Sequence, residues 1–272
     1  MCATSSMTGE PLRLDLEPGD VDLQHGELNL AGRITVASNA TFVGRIGDDA
    51  VVYKPIAGER PLWDFPDGTL ASREVAAYLV SEALDWRIVP RTWLRDGPFG
   101  TGMVQLWQEP DLEQDPVDVV PSTEVPTKGW CTVMEGHDEN GQIVSVIHED
   151  AAALRRIAVF DVLVNNADRK GSHILPATDG HRYGVDHGVS FHTEPKLRTV
   201  LWGWIDEPLD PDEVAGVERV RSELSGDLGE QLALLLSEPE VEALAARCER
   251  LRATGAFPSP GGDAPAVPWP LF

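Results

Sequence analysis

Apolar residues alternate through the amino-terminal part of the chain and recur every three to four residues in the rest. That change of period gathers strands into one part of the molecule and helices into another. From Leu28, LNLAGRITV, the turn Ala37-Ser38-Asn39-Ala40, TFVGRIG, the turn Asp48-Asp49 and AVVYKP read as three short antiparallel strands. A Pro/Gly/Trp-rich loop (Ile56 to Gly68) leads into TLASREVAAYLVSEAL, an amphipathic helix with Val75, Leu79 and Ala83 on one stripe, entered from Asp67-Gly68-Thr69. WRIVPRTWLRD and GTGMVQLW add strand-like segments, and Gln108 to Lys128, with its Pro, Asp and Glu, reads as a linker or solvated excursion. GWCTVMEG and QIVSVIHE flank Asp138-Glu139-Asn140-Gly141, a hairpin signal because Asn-Gly tolerates positive φ.

Glu149 to Asn166 predicts a helix whose Leu154, Ile157, Phe160 and Val164 form a stripe and whose last turns are apolar nearly all round, so it belongs inside a lobe. Asp210 to Thr254 predicts two or three amphipathic helices, followed by a loosely held Pro/Gly-rich tail. There is no internal repeat. The expected architecture is α+β and two-lobed, with a strand-rich N-lobe (1–107), a mainly helical C-lobe (108–255) and a tail (256–272). Ligands favour the cleft between two such lobes.

Charge narrows the partners. The 272 residues hold 22 Lys+Arg against 45 Asp+Glu, a net charge of −23 that repels phosphate backbones and anionic lipid surfaces. Neither nucleic-acid binding nor stable membrane association is expected. No stretch approaches the roughly 18 apolar residues of a membrane span, and MCATSSMTGEP (Met1 to Pro11) has no leader pattern, so a cytoplasmic location is expected. Cys2, Cys131 and Cys248 are too scattered for a disulfide framework or a thiolate zinc site. Trp202-Gly203-Trp204 and Trp269-Pro270 read as core or lid.

The densest polar cluster, Asn165-Asn166-Ala167-Asp168-Arg169-Lys170-Gly171-Ser172-His173, follows the apolar helix, and Asp186 closes another short strand thirteen residues beyond His173. Two acids at the ends of buried elements, a hairpin apart, can converge on one point. A cation bridging phosphates needs one or two carboxylates and a nitrogen or oxygen ligand, and a nucleophilic hydroxyl needs a further carboxylate to orient it. Asp168, His173 and Asp186 can supply those roles. A zinc site of His173, His187 and His192 lacks the close helical pairing or cysteine partners of usual zinc ligands.

ADRKGSHIL followed by YGVDHG resembles the catalytic and metal-binding loops of phosphatidylinositol 3- and 4-kinases, Asp-Arg-x-x-x-Asn-Ile-Leu and then Asp-Phe-Gly. FDVLVNNADRKGSHIL also resembles a segment of HipA-type bacterial protein kinases, and the whole chain resembles an actinobacterial family described as similar to the phosphoinositide kinases. The resemblance implies a phosphoinositide-kinase-like fold and an ATP-dependent phosphotransferase using Mg²⁺ or Mn²⁺. Carried over, Asp168 is the catalytic Asp with Arg169 beside it, and His173 and Asp186 are the metal ligands. Lys54 in VVYKP is the strand lysine that meets ATP phosphates, and Glu74 is its helical partner. The turn at Ser38 and Asn39 covers the phosphates with backbone N–H groups, and MVQLW, with Gln105 and Trp107, is the lobe connector against the adenine.

Two departures stand out: His173 replaces the Asn, favouring Mn²⁺ over Mg²⁺, and His187 replaces the Phe. With imidazole as ligand, metal affinity should fall as pH drops through the region near 6.5. A phosphoinositide acceptor suits the charge poorly, so a protein hydroxyl or small soluble acceptor is expected. Lys196 and Arg198, the small basic cluster after Asp186, could bind an anionic acceptor but read by default as a solvated loop. The departures also motivate an alternative, a pseudokinase that binds ATP and regulates a partner; a further one is transfer of AMP, distinguished by the nucleotide product.

Overall fold

The computed structural model describes residues 21–35, 37–261 and 265–272. The readings of Met1 to Pro11, Cys2, Val36 and positions 262–264 lie outside the described residues. After a short helix α1 (Val21–His25), strands β1 (Leu28–Ile34), β2 (Thr41–Ile46), β3 (Asp49–Pro55), β4 (Thr92–Gly97) and β5 (Gly100–Leu106) form one antiparallel sheet in the order β1-β2-β3-β5-β4. Because side chains alternate, Val51, Tyr53 and Val104 face one core with Leu23, Leu28, Ile46 and Trp93. Val52, Lys54, Met103 and Gln105 share the other face, where the register pairs Lys54 with Met103 and Val52 with Gln105. β4 begins only at Thr92, because Asp85 and Arg87 adopt positive φ (58° and 50°) and interrupt the extended run expected from Trp86 onward.

Helix α2 (Leu70–Ala83) carries the expected stripe but is buried on most sides. Ala71 and Val75 pack on Met103 of the sheet, while Ala76, Ala77 and Val80 enter the core of the second lobe. Small alanines let both sides approach, so this helix couples the lobes. The chain enters it from Asp67-Gly68-Thr69 as expected, with Thr69 at the N-cap, but the first amides are capped from a distance by Glu59, whose carboxylate accepts from Leu70 N (3.1 Å) and Ala71 N (2.9 Å).

The second lobe differs from a purely helical one. β6 (Val117–Pro121), β7 (Trp130–His137) and β8 (Ile143–Glu149) form a sheet in the order β6-β8-β7, so the segment expected as a linker contributes an edge strand. Helix α3 (Ala152–Val164) runs through the main core with Leu154, Ile157, Phe160, Leu163 and Val164 buried. The strand pair β9 (Ile174–Pro176) and β10 (Arg182–Gly184) follows, and then α4 (Pro211–Glu223), α5 (Asp227–Leu232) and α6 (Glu238–Thr254). Capping boxes at Asp210/Glu213 and Ser237/Glu240 start α4 and α6.

The described part of the tail from Pro265 onward is not loosely held. Ala266 O accepts from Thr199 N (3.0 Å) and Trp202 Nε1 (2.9 Å), and Leu271 O accepts from Gly171 N (2.9 Å). Trp202 and Trp204 are core residues, whereas Trp269 is 86% exposed. Cys131 and Cys248 are free thiols. Among the described residues no helix is long and apolar enough to cross a membrane. The molecule is α+β and two-lobed, one sheet facing a helical lobe across α2.

Candidate active site

α3 ends at Asn165 in the left-handed region (φ 54°), which turns the chain back across the helix end. Asn165 Nδ2 donates to the carbonyls of His192 (2.8 Å) and Glu194 (2.7 Å), and its Oδ1 accepts from Lys196 N (2.9 Å), fastening the following loops to the helix. Asn166, fully buried, donates from Nδ2 to Asp161 Oδ1 (3.0 Å) and accepts from Asp168 N at 3.0 Å. Asp168 is thereby held at the lobe surface with its side chain about one-third exposed (34%), and its Oδ2 lies 3.2 Å from Lys170 Nζ. Burial raises its pKa above the ordinary carboxylate value, against the attraction of Lys170.

His173 closes a short 3₁₀ turn (Gly171–His173) before β9, and Asp186 follows β10 at φ 60°; both reach the same point, with His173 Nε2 3.5 Å from Asp186 Oδ2. The partner lobe supplies Lys54. Its Nζ donates to Glu74 Oε1 (2.8 Å) and also contacts Asp186 Oδ1. Glu74 Oε2 accepts from His187 N (2.8 Å), so one carboxylate of α2 holds both the strand lysine and the loop that carries Asp186.

The electrostatics follow. Burial opposes the Lys54 ammonium, but Asp186 and then Glu74 outweigh it and raise its pKa. Lys54 in turn holds the Asp186 carboxyl well below the usual carboxylate range. Burial pushes His173 down to about 4, so its imidazole is neutral near pH 7, and burial together with Arg169 does the same to His187. A neutral imidazole and an ionised carboxylate 3.5 Å apart suit a divalent cation whose remaining ligands are phosphate and water oxygens. Among the described residues no three His, Cys, Asp or Glu side chains form a metal cluster.

The other expected residues divide. Arg169, placed by its motif as a catalytic neighbour, is turned inward and fully buried. Its Nε and Nη2 donate to Asp161 (2.9 and 2.8 Å), its Nη1 to the carbonyls of His173 and Val185 (both 3.1 Å), and its Nη2 lies 2.6 Å from His187 Nε2. It positions the loops and does not face the cleft. Met103 to Leu106, expected as connector, are the end of β5, and the connection begins at Trp107. Gln105 is buried on the Lys54 face and donates to Thr92 Oγ1 (2.8 Å). Trp107 is 39% exposed and donates to Glu109 Oε2 (2.9 Å). The exposed Ser38 and the half-buried Asn39 lie in the β1–β2 turn, at the Lys54 end of the sheet since Phe42 pairs with Tyr53. The Asn39 Oδ1 already accepts from Arg60 N (2.8 Å), which ties the turn to the loop after β3.

Asn165 and Asn166, which open the polar cluster, are supports of these loops, and Asp161 is the support that the sequence did not single out. A lone carboxylate inside the apolar run FDVLV is the signal that could have found it.

No protein-family model matches the chain, so the phosphoinositide-kinase resemblance rests on the Asp168 and Asp186 segments. Protein Rv2133c of Mycobacterium tuberculosis is 49% identical over 263 residues, spanning 92% of this chain and 94% of that protein, and the chain belongs to its family. The Helicobacter pylori proinflammatory kinase CtkA aligns over 87% of this chain and 95% of its own at 13% identity, with a TM-score of 0.43.

Proposed function

We propose that this member of the Rv2133c family is an ATP-dependent phosphotransferase working in the cleft between its lobes. The observation that carries the reading is Lys54 on β3, bonded to Glu74 of α2 and to Asp186 of the opposite lobe, with Asp168 on the neighbouring loop. A strand lysine paired with a helix glutamate, beside a metal-binding and a catalytic aspartate, is the constellation protein kinases need. The Lys54 face extends from Met103 on β5 to Trp107 just beyond its end, about 13 Å at 3.3 Å per residue, room for phosphates at one end and a base at the other.

In this reading Lys54 neutralises phosphate charge, and backbone amides of the Ser38–Asn39 turn close over it. A divalent cation held by His173 and Asp186 supplies charge neutralisation on the phosphates. Asp168 orients the acceptor hydroxyl; as the hydroxyl oxygen bonds to the terminal phosphorus and the bond to the ADP oxygen breaks, the hydroxyl proton passes to Asp168. Its raised pKa makes it a better proton acceptor than a solvated carboxylate. The acceptor is a protein hydroxyl or a small soluble molecule, in keeping with the net charge of −23.

A second reading, a nucleotide-binding regulator without turnover, is favoured by one feature: the Asp186 carboxylate is already neutralised by Lys54. Thermal unfolding with ATP and Mg²⁺ or Mn²⁺, beside Asp186→Ala and an assay for ADP, separates the readings. Nucleotide at a hundredfold excess over Kd should stabilise the protein by about 2.7 kcal/mol. A metal-dependent shift lost in the variant, with ADP formed, supports the phosphotransferase; a shift without ADP under either metal supports the regulator. Absence of any shift defeats both.

A further inference from the structure

Arg198 stands apart from the other cations around Asp168. Its backbone is bonded on both sides of that residue: Arg198 N donates to Asn166 O (2.9 Å), and Arg169 N donates to Arg198 O (3.0 Å). The position of Arg198 is therefore fixed by the same loop that fixes Asp168. Its neighbours are committed. Lys196 is paired with Asp64 (2.6 Å), Lys170 with Asp168 (3.2 Å), and Arg169 with Asp161 (2.8 Å). Arg198 Nε, by contrast, is buried and finds no hydrogen-bond partner among the described residues.

A buried N–H of a charged group without an acceptor is costly and calls for an explanation. Among the described residues no carboxylate is hydrogen-bonded to this Nε. The charge of Arg198 is nevertheless felt at Asp168, where it opposes the rise caused by burial. A guanidinium presenting Nε and a terminal nitrogen along one edge matches two oxygens of a carboxylate or phosphate.

We propose that Arg198 receives an oxyanion carried by the acceptor, so that the substrate is a hydroxyl compound bearing a phosphate or carboxylate within reach of the hydroxyl at Asp168. This rests on the phosphotransferase reading and adds a substrate class to it. The anion satisfies Nε, and its anchoring holds the hydroxyl against Asp168. The sequence alone offered Lys196 and Arg198 together, as a small basic cluster able to bind an anionic acceptor but read by default as a solvated loop. The structure separates the pair, since Lys196 is spent on Asp64 and on the Trp63 ring, 4.8 Å from its centroid.

The test is calorimetric titration of inorganic phosphate, and separately of acetate, into the full chain loaded with a non-hydrolysable ATP analogue and Mg²⁺. At least one anion should bind the wild type, and the tighter of the two assigns the class. Arg198→Gln should weaken that anion tenfold or more while analogue affinity stays within twofold, and Arg198→Lys should fall between. Unchanged unfolding midpoints show that the variants fold. If neither anion binds, or if R198Q binds as well as wild type, the inference is overturned. If the ATP analogue itself fails to bind, the phosphotransferase reading fails instead; the same anion titrations on the nucleotide-free chain then still read the dependence on Arg198.

Discussion

Two ionic clusters meet at the end of α3, and they are built in opposite ways. Asp161, Arg169 and Asn166 are buried, and each donor of the arginine fork finds an acceptor in a side chain or a loop carbonyl. Lys54, Asp168 and Asp186 keep 20%, 34% and 48% of their side chains exposed, and each carboxylate is paired with one ammonium, Lys170 or Lys54. The first cluster fixes where the loops are. The second is left open to exchange partners with a ligand. Removing a residue from the first should therefore harm folding, and removing one from the second should harm turnover alone.

The largest effect should come from the cleft. Asp168→Ala or Asp186→Ala should lower ADP production by about a thousandfold, roughly 4 kcal/mol of transition-state stabilisation. Their unfolding midpoints should move by no more than about 3 °C. A turnover assay beside a melting curve checks both halves, and near-normal turnover in Asp168→Ala would remove it from the reaction.

Next comes the buried cluster. Arg169→Met leaves Asp161 as an uncompensated buried charge, which should cost about 3–5 kcal/mol in denaturant unfolding. Replacing both partners, Asp161→Leu with Arg169→Met, should recover much of that, because an apolar pair has no charge to desolvate. A double variant as unstable as the single one would show that the loop carbonyls of His173 and Val185, rather than Asp161, are what Arg169 serves.

The same contrast explains what could be read from the sequence. Strand alternation, the Asn-Gly turn and the apolar run of α3 are local patterns, and each became the element expected. His173 and Asp186 are brought within 3.5 Å because a short strand pair sits between them. What stayed hidden depended on direction or on distant partners. Motif spacing places Arg169 beside Asp168 but does not say that it turns inward to Asp161. The edge strand β6 is disguised by Asp118 and Pro121, polar and ladder-breaking residues that an edge tolerates. The carboxy-terminal segment has no periodicity, and its docking rests on single carbonyls meeting Thr199, Trp202 and Gly171.

The histidines between the two clusters give a prediction in pH. Burial depresses His173 from 6.5 to about 4, and lowers His187 in the same direction. Between those values the unfolded chain binds more protons than the folded one, so stability should be complete above about pH 6.5 and decline as pH falls toward 4. His173 alone should contribute on the order of 3 kcal/mol across that window, at about 1.4 kcal/mol per unit. His173→Asn should flatten the slope of unfolding free energy against pH. Metal binding through His173 should correspondingly persist below the region near pH 6.5 expected from the sequence, and be lost only as pH approaches about 4.

The smallest effect should arise where the tail meets the catalytic loop. Gly171 lies between Lys170 and the turn to His173, and a Cβ there would overlap the Phe272 ring. That ring is half exposed, so it can swing aside, and Gly171→Ala should cost only about 1 kcal/mol. The loop carbonyls held by Arg169 would stay in place, which makes this a test of whether the buried cluster or the tail governs the loop. In a double-mutant cycle with Phe272→Ala, the overlap disappears and the cost of Gly171→Ala should vanish. Strict additivity, or a loss of turnover in Phe272→Ala as large as that in Asp168→Ala, would mean that the tail shares the task assigned to Arg169.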